Sequence, residues 1–179
     1  TLDYKKNSEY NRHVIYSVAK IAAKKALQLF AKDYRTNLIY VLHSHVMAPD
    51  DDKDSFLQVT LKKLIDKSEL VFSTGEQTFD VVSEKDCANG YYLICERGIK
   101  GSEYWVGSGD PRPLKEYVER MYALYPSGKK MQFGKFKYND VKLSKNDFSI
   151  KNLVKDTGYK TENTYEEIVS NLYKSLVNS

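Results

Sequence analysis

Tyr16-Ser17-Val18-Ala19-Lys20-Ile21-Ala22-Ala23 opens a segment in which small and apolar side chains recur at helical spacing. Val18, Ala22, Ala26, Leu29 and Phe30 continue the period with lysines between them, which predicts a helix over residues 14–34. Directly after it, Asn37 to Met47 is a buried-strand pattern centred on Leu38-Ile39-Tyr40-Val41-Leu42, ended by Pro49 and an acidic loop. A strong helix feeding a buried strand is half of an α/β unit, and the remainder of the chain extends the alternation.

Working outward, residues 54–67 return to helical period through Phe56, Leu57, Leu61, Leu64 and Ile65. Short strands are expected at 69–73 and 79–82, on either side of a turn at Gly75. Ser83 with Asp86 has the spacing of a capping box and predicts a helix that stops at Gly98. Tyr104-Trp105-Val106 is a strand running into Gly107-Ser108-Gly109, and Pro113 is placed to begin a helix reaching about Tyr125. Residues 131–138 look extended, a short helix ends at Gly158, and Thr164 with Glu167 caps a last helix to about Val177.

Composition narrows the function classes. The 179 residues suit one ordinary domain, and 41% hydrophobic with 29% charged residues are the proportions of a globular chain. The net charge is 28 − 24 = +4, and residues 1–126 carry 18 charges of each sign, so the excess falls in residues 127–179. There ten lysines meet six acids without clustering, which argues for a solvated face and against nucleic acid. No apolar run approaches the ~20 residues of a membrane span. Cys87 and Cys95 match neither a disulfide framework nor a metal spacing, which suggests two small buried apolar residues in a reducing, cytoplasmic compartment.

Chemistry concentrates at Tyr16 and Lys20, four apart and therefore on one helical face. A free phenol titrates near pH ~10, and a neighbouring ammonium stabilises phenolate, which makes a tyrosine usable in proton transfer. With 15 tyrosines in 179 residues the spacing is cheap, and Tyr125/Lys129 and Tyr138/Lys142 share it. The former spans Pro126-Ser127-Gly128 and the latter an Asn139-Asp140 turn, so only Tyr16/Lys20 has a helical context. His43 and His45, followed by Asp50, Asp51 and Asp52, could supply metal ligands, although an acidic loop is more commonly solvated, and we assign no metal. Asp80 and Asp86 could be paired acids, but a capping role suits Asp86 better. Tyr91, Tyr92, Tyr117, Tyr122 and Tyr125 are read as core or surface aromatics.

The stretch from Tyr16 to Ala23, with the strand ending at Pro49, resembles the second half of extended short-chain dehydrogenases/reductases, the NAD(P)-dependent epimerases, dehydratases and reductases of nucleotide sugars. The resemblance runs in order through Gly75-Glu76-Gln77, Phe79-Asp80-Val81-Val82 and Asp86, then Val106-Gly107-Ser108-Gly109 with Pro113-Leu114. It ends in Phe133-Gly134-Lys135-Phe136-Lys137-Tyr138 and Leu153 to Tyr159, covering nearly all of residues 13–177. It implies an α/β fold: the C-terminal part of a Rossmann-like NAD(P)-binding fold plus a small α/β substrate-binding region. Residues 1–50 would be the last part of the Rossmann-like domain. Residues 51–179 would be mainly substrate-binding, with about 79–98 returning to the Rossmann-like sheet.

The same resemblance implies that Tyr16 is the catalytic acid/base and that Lys20 tunes it and holds the nicotinamide ribose. His45 and Pro49 would lie by the cofactor, NAD or NADP, and His45 and Phe79 by a nucleotide-sugar substrate. The helix at 14–34, with Ala19, Ala22, Ala23 and Ala26, would join a homodimer. A glycine-rich coenzyme turn is absent before Tyr16, so the expectation is a fragment that neither binds cofactor tightly nor turns over alone. Two departures bear on substrate. Relatives often read Arg-x-x-Asn-x-Tyr-Gly-Pro at the strand end, where Leu42, His45, Met47 and Ala48 stand here, and many have an arginine at the position of Phe79. A lost bidentate anchor for a diphosphate points to another substrate or another anchor, or to a non-catalytic binding domain on the same scaffold.

Overall fold

Regular spacing of alanine and lysine makes the first helix, α1 (Arg12–Asp33), and the chain leaves it through Arg35 at φ 51°. The structure is a computed structural model; it describes residues 12–49, 55–135 and 143–178, with side chains from residue 15. Within these, the chain forms two compact units, one of residues up to Tyr40 together with Ile99–Glu103, the other of Val41–Gly98 and Tyr104–Ser179.

In the first unit, backbone bonds from Tyr40 N–H to Ser102 O (3.1 Å) and from Gly101 N–H to Leu38 O (2.9 Å) tie the loop to the segment after α1. Lys24 reaches Glu103 in an ion pair, and its ammonium stands 4.4 Å from the centre of the Tyr40 ring. The apolar residues of α1 are not a buried stripe: Val18, Ile21, Leu27, Leu29 and Phe30 are all exposed.

The expected strand over 37–47 is two strands, β1 (Tyr40–His43) and β2 (His45–Met47), parted at Ser44. The break is a change of partner. Ser44 N–H bonds to Val106 O (2.8 Å) and His45 N–H to Asp80 O (3.1 Å), so β1 pairs with β6 (Glu103–Val106) and β2 with β5 (Val81–Ser83). The β2–β5 pair is parallel with His45 opposite Val81. Parallel pairing also joins β3 (Leu70–Val71) to β8 (Met131–Gln132), whereas β4 (Thr78–Phe79) and β7 (Arg112–Pro113) run antiparallel. Only Met131 and Gln132 of the expected extended stretch 131–138 form a strand, and residues 136–138 lie outside the described residues, as do Tyr138 and Lys142.

Helices α2 (Phe56–Ile65), α4 (Leu114–Leu124) and α6 (Tyr165–Asn178) enclose the main core of the second unit. Leu57, Leu61, Val118, Met121 and Val169 are buried there, each fully buried aliphatic contributing about 1.5–3 kcal/mol. Pro113 does not begin α4. It is extended (ψ 137°) because it belongs to β7, and the first free N–H groups of the helix go instead to Gln77 O (3.0 Å from Leu114) and Gly75 O (2.9 Å from Lys115). A second packing centre forms where α3 (Glu84–Arg97) meets α5 (Lys151–Thr157), a short helix preceded by a 3-10 turn (Lys145–Phe148) and ended by Gly158 at φ 76°. Gly90 of α3 permits close approach to β6 and to Tyr159 just after α5, since a Cβ there would lie 2.7 Å from Val106 Cγ1 and 3.2 Å from Tyr159 Cε2.

The last helix follows its predicted cap. Glu167 Oε2 accepts from Thr164 N (2.7 Å) and Thr164 Oγ1 (2.8 Å). One turn of it is clamped by Arg120, whose guanidinium donates twice to Glu166 (2.7 and 2.8 Å) and stands 5.3 Å from the Tyr165 ring centre. Desolvation, the largest single influence, would raise the Glu166 carboxyl, but the hydrogen bonds from Arg120, the bond from its own backbone N–H and the charges of Arg120 and Arg112 together outweigh it and hold the group below the usual carboxylate range. A depressed carboxylate contributes stability above the unfolded value and loses it as pH falls through the folded one. Glu166→Gln should therefore lower the thermal midpoint near pH 7, with the gap to the parent closing below about pH 4; pH-resolved melting curves check this. Among the described residues, no helix is long and apolar enough to cross a membrane.

Candidate functional site

In α1 the four-residue spacing does place Tyr16 and Lys20 together. The Lys20 ammonium stands 5.4 Å from the centre of the Tyr16 ring, and Tyr16 is 64% exposed. A phenol and an ammonium presented side by side to solvent can both hydrogen-bond a sugar or ribose diol, and the phenol can give or take a proton.

The other expected site residues belong to the second unit. His45, at the start of β2, and Phe79, at the end of β4, bring their rings to 5.4 Å at 38°. Tyr117 of α4 meets Phe79 edge-on at 6.2 Å. Burial pushes the Tyr117 phenol far up, and its hydroxyl donates to Asp110 O (3.2 Å), so it is a packing group with a satisfied end. Phe79 is thus one of three packed rings. Pro49 lines a cavity of about 330 Å3 with Met47, Ser83, Glu84 and Asn163, among others.

His43 and His45 have different neighbours. The His43 ring faces Tyr91 at 6.4 Å, and its Nδ1 lies 2.8 Å from Ser44 O. Asp50, Asp51 and Asp52 are outside the described residues, and among the described residues no three His, Cys, Asp or Glu side chains gather as metal ligands.

Asp80 and Asp86 are each filled by their own donors, which leaves neither free for acid–base work. Ser83 caps α3 and Asp86 is its partner at the third helical position: Ser83 Oγ accepts from the Asp86 N–H (2.9 Å) and donates to its carboxylate (2.8 Å). The same carboxylate accepts from Glu162 N (2.9 Å), Asn163 N (3.1 Å) and Asn163 Nδ2 (3.0 Å), fastening the segment before α6. Asp80 is 1% exposed and accepts from Ser44 Oγ, Ser108 Oγ and Ser108 N (3.0 Å). Ser44 Oγ in turn accepts from Trp105 Nε1 (2.8 Å). This network locks the strand break before His45 to the turn at Gly107-Ser108.

Sequence reasoning did not single out Ser44, Trp105 or Ser108. The available signal was Gly107: a Cβ there would fall inside hard contact with the Asp80 carboxylate and the Ser44 hydroxyl, and 3.2 Å from Trp105 Nε1. The glycine therefore marks a buried polar crossing as well as a turn.

Comparison with known proteins adds three kinds of result. No curated protein matches the chain. Among solved structures, Epimerase Mth375 from Methanothermobacter thermautotrophicus is 17% identical with TM-score 0.79, covering 99% of this chain and 56% of that one. UDP-glucose 4-epimerase from Thermotoga maritima, solved with UDP-glucose, is 18% identical with TM-score 0.73, covering 91% and 53%. RMD from Pseudomonas aeruginosa, complexed with NADPH, is 18% identical with TM-score 0.72, covering 92% and 56%. These likenesses establish a mixed α/β, Rossmann-like fold, and the chain spans a little over half the length of each structure. The family model for the NAD dependent epimerase/dehydratase family matches residues 2–107, more than half of the sequence. By that match, the chain belongs to the NAD dependent epimerase/dehydratase family.

Proposed function

We propose that this chain is the C-terminal part of an NAD(P)-dependent enzyme that epimerises, dehydrates or reduces a nucleotide-linked sugar by reversible hydride transfer. The observation that carries the reading is the Lys20 ammonium over the exposed Tyr16 ring in a chain of this family. Solved relatives in complex with NADPH and with UDP-glucose support the cofactor and the substrate class, and coverage of 53–56% of those chains supports a longer parent. In this reading residues 1–50 complete the coenzyme domain and residues 51–179 are mainly substrate-binding, with 79–98 returning to the Rossmann-like sheet. Cys87 is buried whereas Cys95, expected to be buried as well, is exposed on α3, and both free thiols suit a reducing, cytoplasmic compartment.

Roles follow from the chemistry of the side chains. Tyr16 Oη exchanges a proton with the sugar hydroxyl or carbonyl that changes oxidation state. Lys20 stabilises the phenolate and donates to the ribose of the cofactor. NAD(P), when bound, supplies hydride uptake and return. By the family resemblance, His45 and Pro49 would contribute to holding the cofactor, and His45 and Phe79 to holding the sugar. The exposed Ala19, Ala22, Ala23 and Ala26 let a second copy of α1 approach closely, giving a homodimer. Sedimentation velocity on the parent should show a dimer, and Ala23→Arg should shift it to a monomer.

Calorimetry tests the partition between the halves. The 179-residue chain should bind no stoichiometric NAD(P), while the parent should; tight binding by this chain alone, undiminished by excess inorganic pyrophosphate, would contradict the reading. Phe79 packed between His45 and Tyr117 favours a second reading, a binding domain that kept the scaffold without catalysis. A parent inert toward a panel of 4-keto nucleotide sugars with NAD(P)H would select it.

A further inference from the structure

The last turns of α1, the segment after it and the loop 99–103 border an open cleft of about 540 Å3 that lies wholly within the first unit. Its lining carries three cations, Lys32, Arg35 and Lys100, and none of them is in an ion pair among the described residues. The one acid of the lining, Glu103, is already occupied by Lys24. Cations that converge on a concave surface without counter-charge raise the local potential and draw in anions. Leu38, Ala31 and Tyr40 add an apolar wall beside them.

Basic residues often sit at a helix C-terminus simply to offset its dipole. That explanation is incomplete here. The final carbonyls of α1 already accept backbone bonds, Phe30 O from Tyr34 N (2.9 Å), Lys32 O from Arg35 N (3.3 Å) and Ala31 O from Thr36 N (2.9 Å). Lys100, moreover, comes from a different segment. Arg35 also occupies a left-handed conformation (φ 51°) that glycine would adopt with less strain. Lys67 ends α2 with φ 53°, so a basic residue in that conformation needs no ligand by itself. What distinguishes Arg35 is its convergence with Lys32 and Lys100 on one cleft.

We infer that this cleft binds a small phosphorylated anion carrying two or three negative charges, with the guanidinium of Arg35 and the ammonium groups of Lys32 and Lys100 as its anchors. Lys32 stands twelve residues beyond Lys20, about 18 Å along the helix axis at ~1.5 Å per residue. The inference is therefore independent of the Tyr16/Lys20 chemistry, and its failure would leave that reading unchanged.

The test uses inorganic pyrophosphate, titrated calorimetrically into the 179-residue chain and into Lys32→Ala, Arg35→Gly and Lys100→Ala. The unsubstituted 179-residue chain should give saturable one-to-one binding that weakens with added salt. Each variant should lose about tenfold or more in affinity, the scale of one charge-assisted hydrogen bond. Lys129→Ala, at an exposed lysine of the second unit, should bind as the unsubstituted chain does. Arg35→Gly gives the sharpest readout, because relief of the positive φ should hold or raise the thermal midpoint while affinity falls. No saturable heat at about 10 mM pyrophosphate, or an affinity unchanged in all three variants, would overturn the inference.

Discussion

Gly107→Ala is expected to destabilise the second unit by about 3–5 kcal/mol, the scale of breaking a buried charged network. The added methyl would enter the space now held by the Asp80 carboxylate and the Ser44 hydroxyl. Asp80 is 1% exposed, so it cannot swing out to water without taking Ser44 and the Ser108 turn with it. At roughly 2–4 °C per kcal/mol for a chain of this size, the thermal midpoint should fall by about 6–20 °C. Gly128→Ala supplies the contrast: φ is +75° but no atom lies within 4 Å of a Cβ there, so only backbone strain of about 1 kcal/mol remains. Denaturant melts with a shared m value decide between them. Equal losses at the two glycines would mean that the Asp80 network adds nothing.

Tyr16→Phe carries the largest expected functional effect, a fall in kcat of about 10²–10⁴-fold in the parent enzyme, the range of a positioned general acid or base. The substitution removes one hydroxyl from an exposed side chain, so the thermal midpoint should hardly move. KM should change little, because a group that acts on the proton in flight stabilises the transition state more than the ground state. Lys20→Met should also reduce kcat, since it takes the ammonium from over the ring. A Tyr16→Phe enzyme with parental kcat would remove Tyr16 from the proton path.

Much of this fold is written in local periodicity, and the exceptions have identifiable causes. The helices α1, α2, α3 and α6 follow apolar spacing and the caps at Ser83 and Thr164, because those signals are made within a few residues. The strand over 37–47 was legible as extended but not as broken. Its break at Ser44 exists because β1 and β2 take different partners, β6 and β5, from distant parts of the chain. Pro113 stands one position ahead of the expected helix start, as the N-cap of α4, because its pairing with Thr78 across β4–β7 holds it extended. For the site, the Tyr16/Lys20 contact follows from helical geometry alone, whereas the His45–Phe79 ring contact joins two strands through tertiary packing that no spacing reveals. The Ser44–Asp80–Ser108 network was equally hidden, since its members are 28 to 36 residues apart.

The central claim, that this chain carries the proton-transfer half of a hydride-transferring enzyme, is tested most directly by single-turnover spectroscopy. The parent enzyme, loaded with NAD(P)+, is mixed with a panel of nucleotide sugars bearing a free 4-hydroxyl, and nicotinamide absorbance is followed. The account predicts stoichiometric reduction with at least one sugar in the parent and its slowing by about 10²–10⁴-fold in Tyr16→Phe. Reduction at the same rate in both proteins, or none with any sugar in a parent that binds NAD(P), would contradict it.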